Sequence, residues 1–269
     1  MIHADLALAK RLEAVEARGA RLCAESVARL HPEIGAAHME FAGGTAALAG
    51  KDTPLSQVMG AGLSGLVSDD EIDAMETFYC ERGAPPRIEL SPFADLSLVN
   101  GLMRRGYTVN YFKNILVRTL REGEILGETP KSIRIAEVGD SNRDLCASLL
   151  AQAFSDGAEP LDLRVDLFQT LLRTGATAFL AECDGEAAGA ALMDVHGGLA
   201  ATFASAVLPQ FRKRGVHTAL IRARLQSAVE RGCDLAKINM LPGAQSQRNA
   251  ERLGFRVAYT RVSFHKHQD

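Results

Sequence analysis

Two stretches of this chain repeat each other. Arg104-Arg105-Gly106-Tyr107-Thr108-Val109-Asn110-Tyr111 and Arg252-Leu253-Gly254-Phe255-Arg256-Val257-Ala258-Tyr259 agree at four of eight positions. Each follows a helical pattern, passes through a glycine able to cap that helix, and opens a strand. The elements leading into each come in the same order: helix, strand, helix, Gly-aromatic turn, strand. A fold built twice accounts for both the local identity and the shared order. With 269 residues, the chain is long enough for two domains that each bury a core.

The periodicity along the chain predicts the pieces. Residues 5–30 read as a helix with Leu8, Leu12, Val15 and Leu22 on one face, and with Lys10, Arg11, Glu13 and Glu16 largely elsewhere. A strand pair is expected over 38–50, and a glycine-punctuated strand or loop over 54–66. Ser68-Asp69-Asp70-Glu71 is a capping box opening a helix over about 69–82. Arg87–Leu90 reads as a strand, 94–105 as a helix and Tyr107–Leu120 as a strand. The stretch 121–131 holds two glycines, three glutamates and a proline. It is the expected boundary, giving domains at 1–122 and 131–269. Beyond it come strands at 133–138, 177–181, 187–195, 199–209, 235–240 and 255–266. Helices are expected at 141–155, 162–173, 215–231 and 244–253. Interleaved strands and helices imply an α/β (α+β) class.

Composition excludes several functions. Formal net charge is -3, which gives no overall attraction to nucleic acid or an anionic membrane. Five scattered cysteines (23, 80, 146, 183 and 233) show no metal-ligand spacing and read as buried, reduced thiols. The opening Met1-Ile2-His3-Ala4-Asp5 is no basic leader, and no apolar run reaches membrane-spanning length, so a cytoplasmic protein is expected.

The segment Val207-Leu208-Pro209-Gln210-Phe211-Arg212-Lys213-Arg214-Gly215-Val216-His217-Thr218 carries the chemistry. A strand ends, a basic turn follows, and a helix begins. The first N–H groups of a helix lack partners and sit at the positive end of its dipole, so they can bind phosphate. Gly215 lets the backbone approach closely, and Arg212, Lys213 and Arg214 add positive charge. Gln57-Val58-Met59-Gly60-Ala61-Gly62 fits the same Q-x-x-G-x-G pattern. It has no basic neighbour, however, and Asp69, Asp70 and Glu71 would repel an anion at the next helix. One pocket is therefore expected.

Arg212 to His217 resembles motif A of the GCN5-related N-acetyltransferases, Q/R-x-x-G-x-G/A, with His217 departing at the last, usually small, position. The strand 235–240, the helix after it and the Gly254-Phe255 turn continue the resemblance over about half the chain. It implies tandem GNAT-like mixed sheets flanked by helices, the first a degenerate copy without cofactor. It also implies an acetyl-CoA site in a gap between the strands 199–209 and 235–240, with the backbone of Ala206, Val207 and Leu208 pairing with the pantetheine arm. The pyrophosphate would sit on Arg212, Lys213, Arg214, Gly215, Val216, His217 and Thr218, and Ser246 and Asn249 would face the cofactor from the following helix.

The family's usual tyrosine acid falls on Ala250. The remaining acid–base candidates are Glu182, Asp194 and Tyr259, and no metal is expected. The implied activity is direct acetyl transfer to a primary amine of a small molecule or peptide, in a cleft between the halves of a monomer or homodimer. The alternative is a non-catalytic acyl-CoA-binding sensor, which the missing tyrosine favours. A nucleic-acid-binding reading of the basic turn is set aside, because the patch is one turn long and the chain is net acidic.

Overall fold

The computed structural model describes residues 3–51, 53–124, 126–139, 142–156 and 162–266, with backbone alone at 162–164. The extreme N-terminus read as lacking a leader, the start of the helix at Ser141 and the last three residues of the second domain lie outside these. The elements are α1 (Leu6–Leu30), β1 (Ala37–Phe41), β2 (Gly44–Leu48), β3 (Gln57–Met59), α2 (Asp69–Cys80), β4 (Arg87–Leu90), α3 (Leu96–Arg104), β5 (Thr108–Thr119), β6 (Ile133–Val138), α4 (Arg143–Phe154), α5 (Asp162–Leu172), β7 (Thr177–Cys183), β8 (Glu186–His196), β9 (Leu199–Val207), α6 (Val216–Glu230), β10 (Leu235–Met240), α7 (Gln245–Arg252) and β11 (Arg256–His265). The chain divides into two compact units, Met1–Ile115 with Ala258–Asp269, and Leu116–Val257.

In the first unit the strand order is β1-β2-β3-β4-β11. β1/β2 and β2/β3 are antiparallel, β3/β4 is parallel, and β11 runs antiparallel to β4. The Ser68 capping box forms as its sequence requires: the hydroxyl accepts from the Glu71 N–H, and the Glu71 carboxylate accepts from the Ser68 N–H at 2.8 Å. Ile72, Met75 and Tyr79 of α2 pack with Ile88, Leu90 and Leu98 into one core. Glu13 corrects the reading of α1. It is fully buried, and its carboxylate accepts from Tyr259 Oη at 2.7 Å and from Arg261 Nη2 at 2.9 Å. A buried cation on β11 overrides the helical pattern that places Glu13 off the apolar face.

In the second unit the order is β5-β10-β9-β8-β7-β6, with residues from Leu116 onward of β5 belonging to it. β6/β7, β7/β8 and β8/β9 are antiparallel and β9/β10 is parallel. The hairpin at Asp184-Gly185 turns on two positive φ angles, 53° and 84°. Leu149, Leu150, Phe179, Leu192, Leu220, Leu225 and Phe255 lie in its core.

The series α1-β1-β2-β3-α2-β4-α3-β5 matches α5-β7-β8-β9-α6-β10-α7-β11 element by element, including strand sense from the first hairpin to the parallel pair. The fold is thus built twice from mixed sheets flanked by helices. β11, the strand after α7, pairs with β4 in the first unit's strand order, and only Leu116–Thr119 at the end of β5 belong to the second unit.

Among the described residues no disulfide forms. Cys23, Cys146, Cys183 and Cys233 are buried, but Cys80 is exposed at the end of α2. Burial pushes the Cys23 thiol up to about 12 and the Cys146 thiol to about 11, which leaves both inert. No described helix is long and apolar enough to cross a membrane, and no described cluster could hold a metal.

Candidate functional site

After β9 the chain makes a single 3-10 turn at Pro209–Phe211 and then enters the basic loop. Lys213 takes a positive φ of 63°, and Gly215 one of 93° as the N-cap of α6. The second requirement explains the glycine: an added Cβ would meet only Ile133 and Pro130, at 3.7 and 3.8 Å, so backbone freedom rather than space selects it. A glycine N-cap has no side chain to accept from the first N–H groups, and the first turn of α6 holds no acid. No side chain caps those groups, which sit at the positive end of the dipole. The corresponding helix α2 is capped by Ser68 and Glu71 and carries Asp69, Asp70 and Glu71 in its first turn.

β9 provides the second wall. Ala190 pairs with Ala206 and Leu192 with Phe203, so Ala191 faces two residues, Ala204 and Ser205. The extra residue is a β-bulge, with Ala204 at φ 43°. On its other side β9 pairs with β10 only from Leu199↔Leu235 to Thr202↔Ile238. Past the bulge the two strands part, and the backbone of β9 has a neighbour on the β8 side alone. A cleft of about 870 Å³ opens there.

The cleft gathers Ala206 and Val207 from β9, Arg212, Lys213 and Gly215 from the loop, Val216, His217 and Thr218 from α6, and Ser246 and Asn249 from α7. Leu208 and Arg214 do not line it. Leu208 is buried, with its N–H on the Ala188 carbonyl, and Arg214 pairs with Asp184 of the β7–β8 turn over the Phe211 ring. Arg212 is partly committed too. Its Nη2 donates to Asp156 at 2.8 Å and its Nε to the Val207 carbonyl at 3.2 Å. Lys213 and, from the end of α7, Arg252 are further exposed cations lining the cleft.

α7 closes the far side through a relay of amides. Gln245 Nε2 donates to Asn249 Oδ1 at 3.2 Å, and Asn249 Nδ2 lies 3.3 Å from His217 Nδ1. Burial, aided by the nearby Arg224 charge, pulls the His217 imidazole down to about 4. The ring is therefore neutral at physiological pH, accepting from Asn249 at Nδ1.

The acetyltransferase (GNAT) family model matches residues 143–255, which hold both walls of this cleft. Over those residues the chain is similar to a GNAT domain. The GCN5-related N-acetyltransferase from Kribbella flavida superposes with a TM-score of 0.66 at 17% identity, over 92% of this chain and 96% of that one. A GCN5-related N-acetyltransferase from Sphaerobacter thermophilus gives 0.58 at 14% identity, over 73% and 66%. A tandem GNAT protein from the clavulanic acid biosynthesis pathway gives 0.60 at 13%, over 82% and 77%. At such identities the likeness is one of fold. No curated protein sequence matches the chain.

The acid–base candidates are not brought to the GNAT cleft. Glu182 on β7 faces Arg134 of β6 at 3.7 Å, and Asp194 lies opposite Ala201, on the hairpin side of the bulge. Tyr259 belongs to the first unit, buried against Glu13 and Phe93, and burial together with the Glu13 charge raises its phenol well above the ordinary value. Ala250, the position onto which the resemblance maps the tyrosine, is fully buried in the core of the second unit. Sequence reasoning missed Ser205, which lines the cleft, and Arg224, which lies fully buried beneath it. Arg224 stands seven residues after His217 on α6, two turns along the same face, and that spacing was the available signal.

Proposed function

We propose that the GNAT domain binds acetyl-CoA in the cleft between β9, the 212–215 loop and α7, and transfers its acetyl group directly to a primary amine of a small molecule or peptide. The observation that carries this reading is the uncapped N-terminus of α6 opening into the cleft. In this reading residues 131–269 carry the catalytic domain, and residues 1–122 a copy that holds no cofactor, because α2 caps its own N-terminus with a carboxylate.

The residues present suit the cofactor. Gly215, Val216, His217 and Thr218 offer backbone donors to a pyrophosphate, with Lys213 adding charge. The part of β9 past the bulge offers an unpaired edge to an amide-bearing arm. Bound acetyl-CoA supplies the activated acyl group. Backbone N–H groups at the bulge are suited to stabilise charge building on the thioester oxygen. The acceptor ammonium has an ordinary pKa of about 10.4 and must shed a proton before it attacks.

A thiol-release assay with acetyl-CoA and a panel of primary amines tests the activity. Turnover that needs an amine supports transfer. Tight acetyl-CoA binding with no turnover on any amine supports the sensor reading instead, which the buried Ala250 favours. Absence of acetyl-CoA binding in titration calorimetry at low salt overturns both.

A further inference from the structure

Arg224 is a buried cation with no anion beside it. Its side chain is fully inaccessible, and among the described residues its acceptors are all neutral: the Leu220 carbonyl at 3.1 Å, the Leu192 carbonyl at 3.3 Å, the Phe203 carbonyl at 3.5 Å and Ser205 Oγ at 3.3 Å. Burial disfavours its charge, yet a guanidinium stays protonated at neutral pH. Keeping an uncompensated charge in a core is costly, and such costs concentrate at working sites. Its position is specific as well. Leu192 and Phe203 are the pair on one side of the β9 bulge, so the guanidinium holds both strands where β9 turns toward the cleft.

An arginine only donates, so Ser205 Oγ must accept from it, and the hydroxyl proton is left to be given elsewhere. Among the described residues that proton has no acceptor, and Ser205 lines the cleft. A hydroxyl that accepts from a cation is a stronger donor.

We propose that Ser205, polarised by Arg224, donates a hydrogen bond to the thioester sulfur as it leaves and so stabilises the departing thiolate without protonating it. This rests on the acetyl-CoA reading of the cleft. In the transfer, the acceptor nitrogen bonds to the acyl carbon and the C–S bond breaks with its electron pair on sulfur. The surplus proton on nitrogen passes to water, and the thiolate takes a proton from water after release. Ser205 keeps its proton throughout and Arg224 acts through it, as a positioning residue.

The test is a titration of free coenzyme A bound to the full-length protein, following thiolate absorbance against pH, with desulfo-coenzyme A as the reference ligand. The bound thiol should ionise at lower pH than in solution. Ser205→Ala should reduce the thiolate fraction about tenfold at a given pH, the size expected for losing a hydrogen bond to a charged acceptor. Ser205→Thr, which keeps the hydroxyl, should restore it, and desulfo-coenzyme A should bind the wild type and Ser205→Ala alike. An unchanged titration in Ser205→Ala, with coenzyme A still bound, overturns this role alone. Failure of the wild type to bind either ligand overturns the cofactor reading beneath it.

Discussion

Asn249 on α7 and His217 on α6 meet across the cleft, with Nδ2 and Nδ1 3.3 Å apart. The contact ties the two helices that flank the parted strands, and it sets the tautomer of a half-buried, neutral imidazole. His217 thus forms a polar bridge between α6 and α7.

That bridge gives the protein an acid limb. The folded-state value of His217 is lowered to about 4 from 6.5. Between those values the unfolded chain binds more protons, so stability rises with pH there. The contribution is complete above about pH 6.5 and is lost as pH falls through about 4. Urea unfolding at pH 7 and pH 4.5 should show His217→Ala losing about 1–3 kcal/mol less than the wild type over this interval. Equal losses would mean that the imidazole titrates freely in the fold.

Gly215→Asp separates folding from binding. Aspartate tolerates the left-handed region and is a good N-cap, so the melting temperature should stay within a few degrees. Its carboxylate would occupy the N–H groups meant for phosphate, and acetyl-CoA affinity should fall at least about 100-fold, from lost donors and added repulsion. Calorimetric titration of both proteins gives the comparison, and retained affinity would move the anion site elsewhere.

The three basic loop residues should divide by where their charges point. Lys213 is exposed at the cleft mouth, whereas Arg214 is spent on Asp184. Lys213→Ala should weaken acetyl-CoA binding about three- to tenfold and flatten its salt dependence, an effect of about 1 kcal/mol. Arg214→Ala should leave both within about twofold. Equal effects would show that net charge, and not placement, governs binding.

Tyr259 should prove structural. Tyr259→Phe leaves the buried Glu13 carboxylate one donor short and should cost about 1–3 kcal/mol in urea unfolding. Thiol release per folded molecule should be unchanged, and a specific loss of turnover would return Tyr259 to the chemistry.

The strand–basic turn–helix arrangement over 207–218 was legible because its cues are local: a strand end, three cations, a glycine and a helix start within a dozen residues. The capping box of α2 was legible for the same reason, since Ser68 and Glu71 are neighbours in sequence. What escaped depends on distant partners. Nothing near Glu13 announces that Arg261 will bury it, and nothing in Thr108–Thr119 or Arg256–His265 says which strand each will pair with. Their pairing is therefore invisible to alternation patterns. Arg214 and Leu208 look like loop and strand residues of the site, yet one side chain turns to Asp184 and the other into the core. Arg224 sits among Leu220, Ile221 and Leu225, and only the bulge in β9 gives its charge a purpose.

The central claim is that the cleft between β9 and α6 holds acetyl-CoA by its backbone. Residue-resolved amide hydrogen exchange, with and without acetyl-CoA, reads those groups directly. Binding should protect the N–H groups of Val216, His217 and Thr218 and of β9 past the bulge, at Ser205 to Val207, while α2 beyond Ser68 exchanges as before. Protection at the start of α2, or none at the start of α6, would contradict the account.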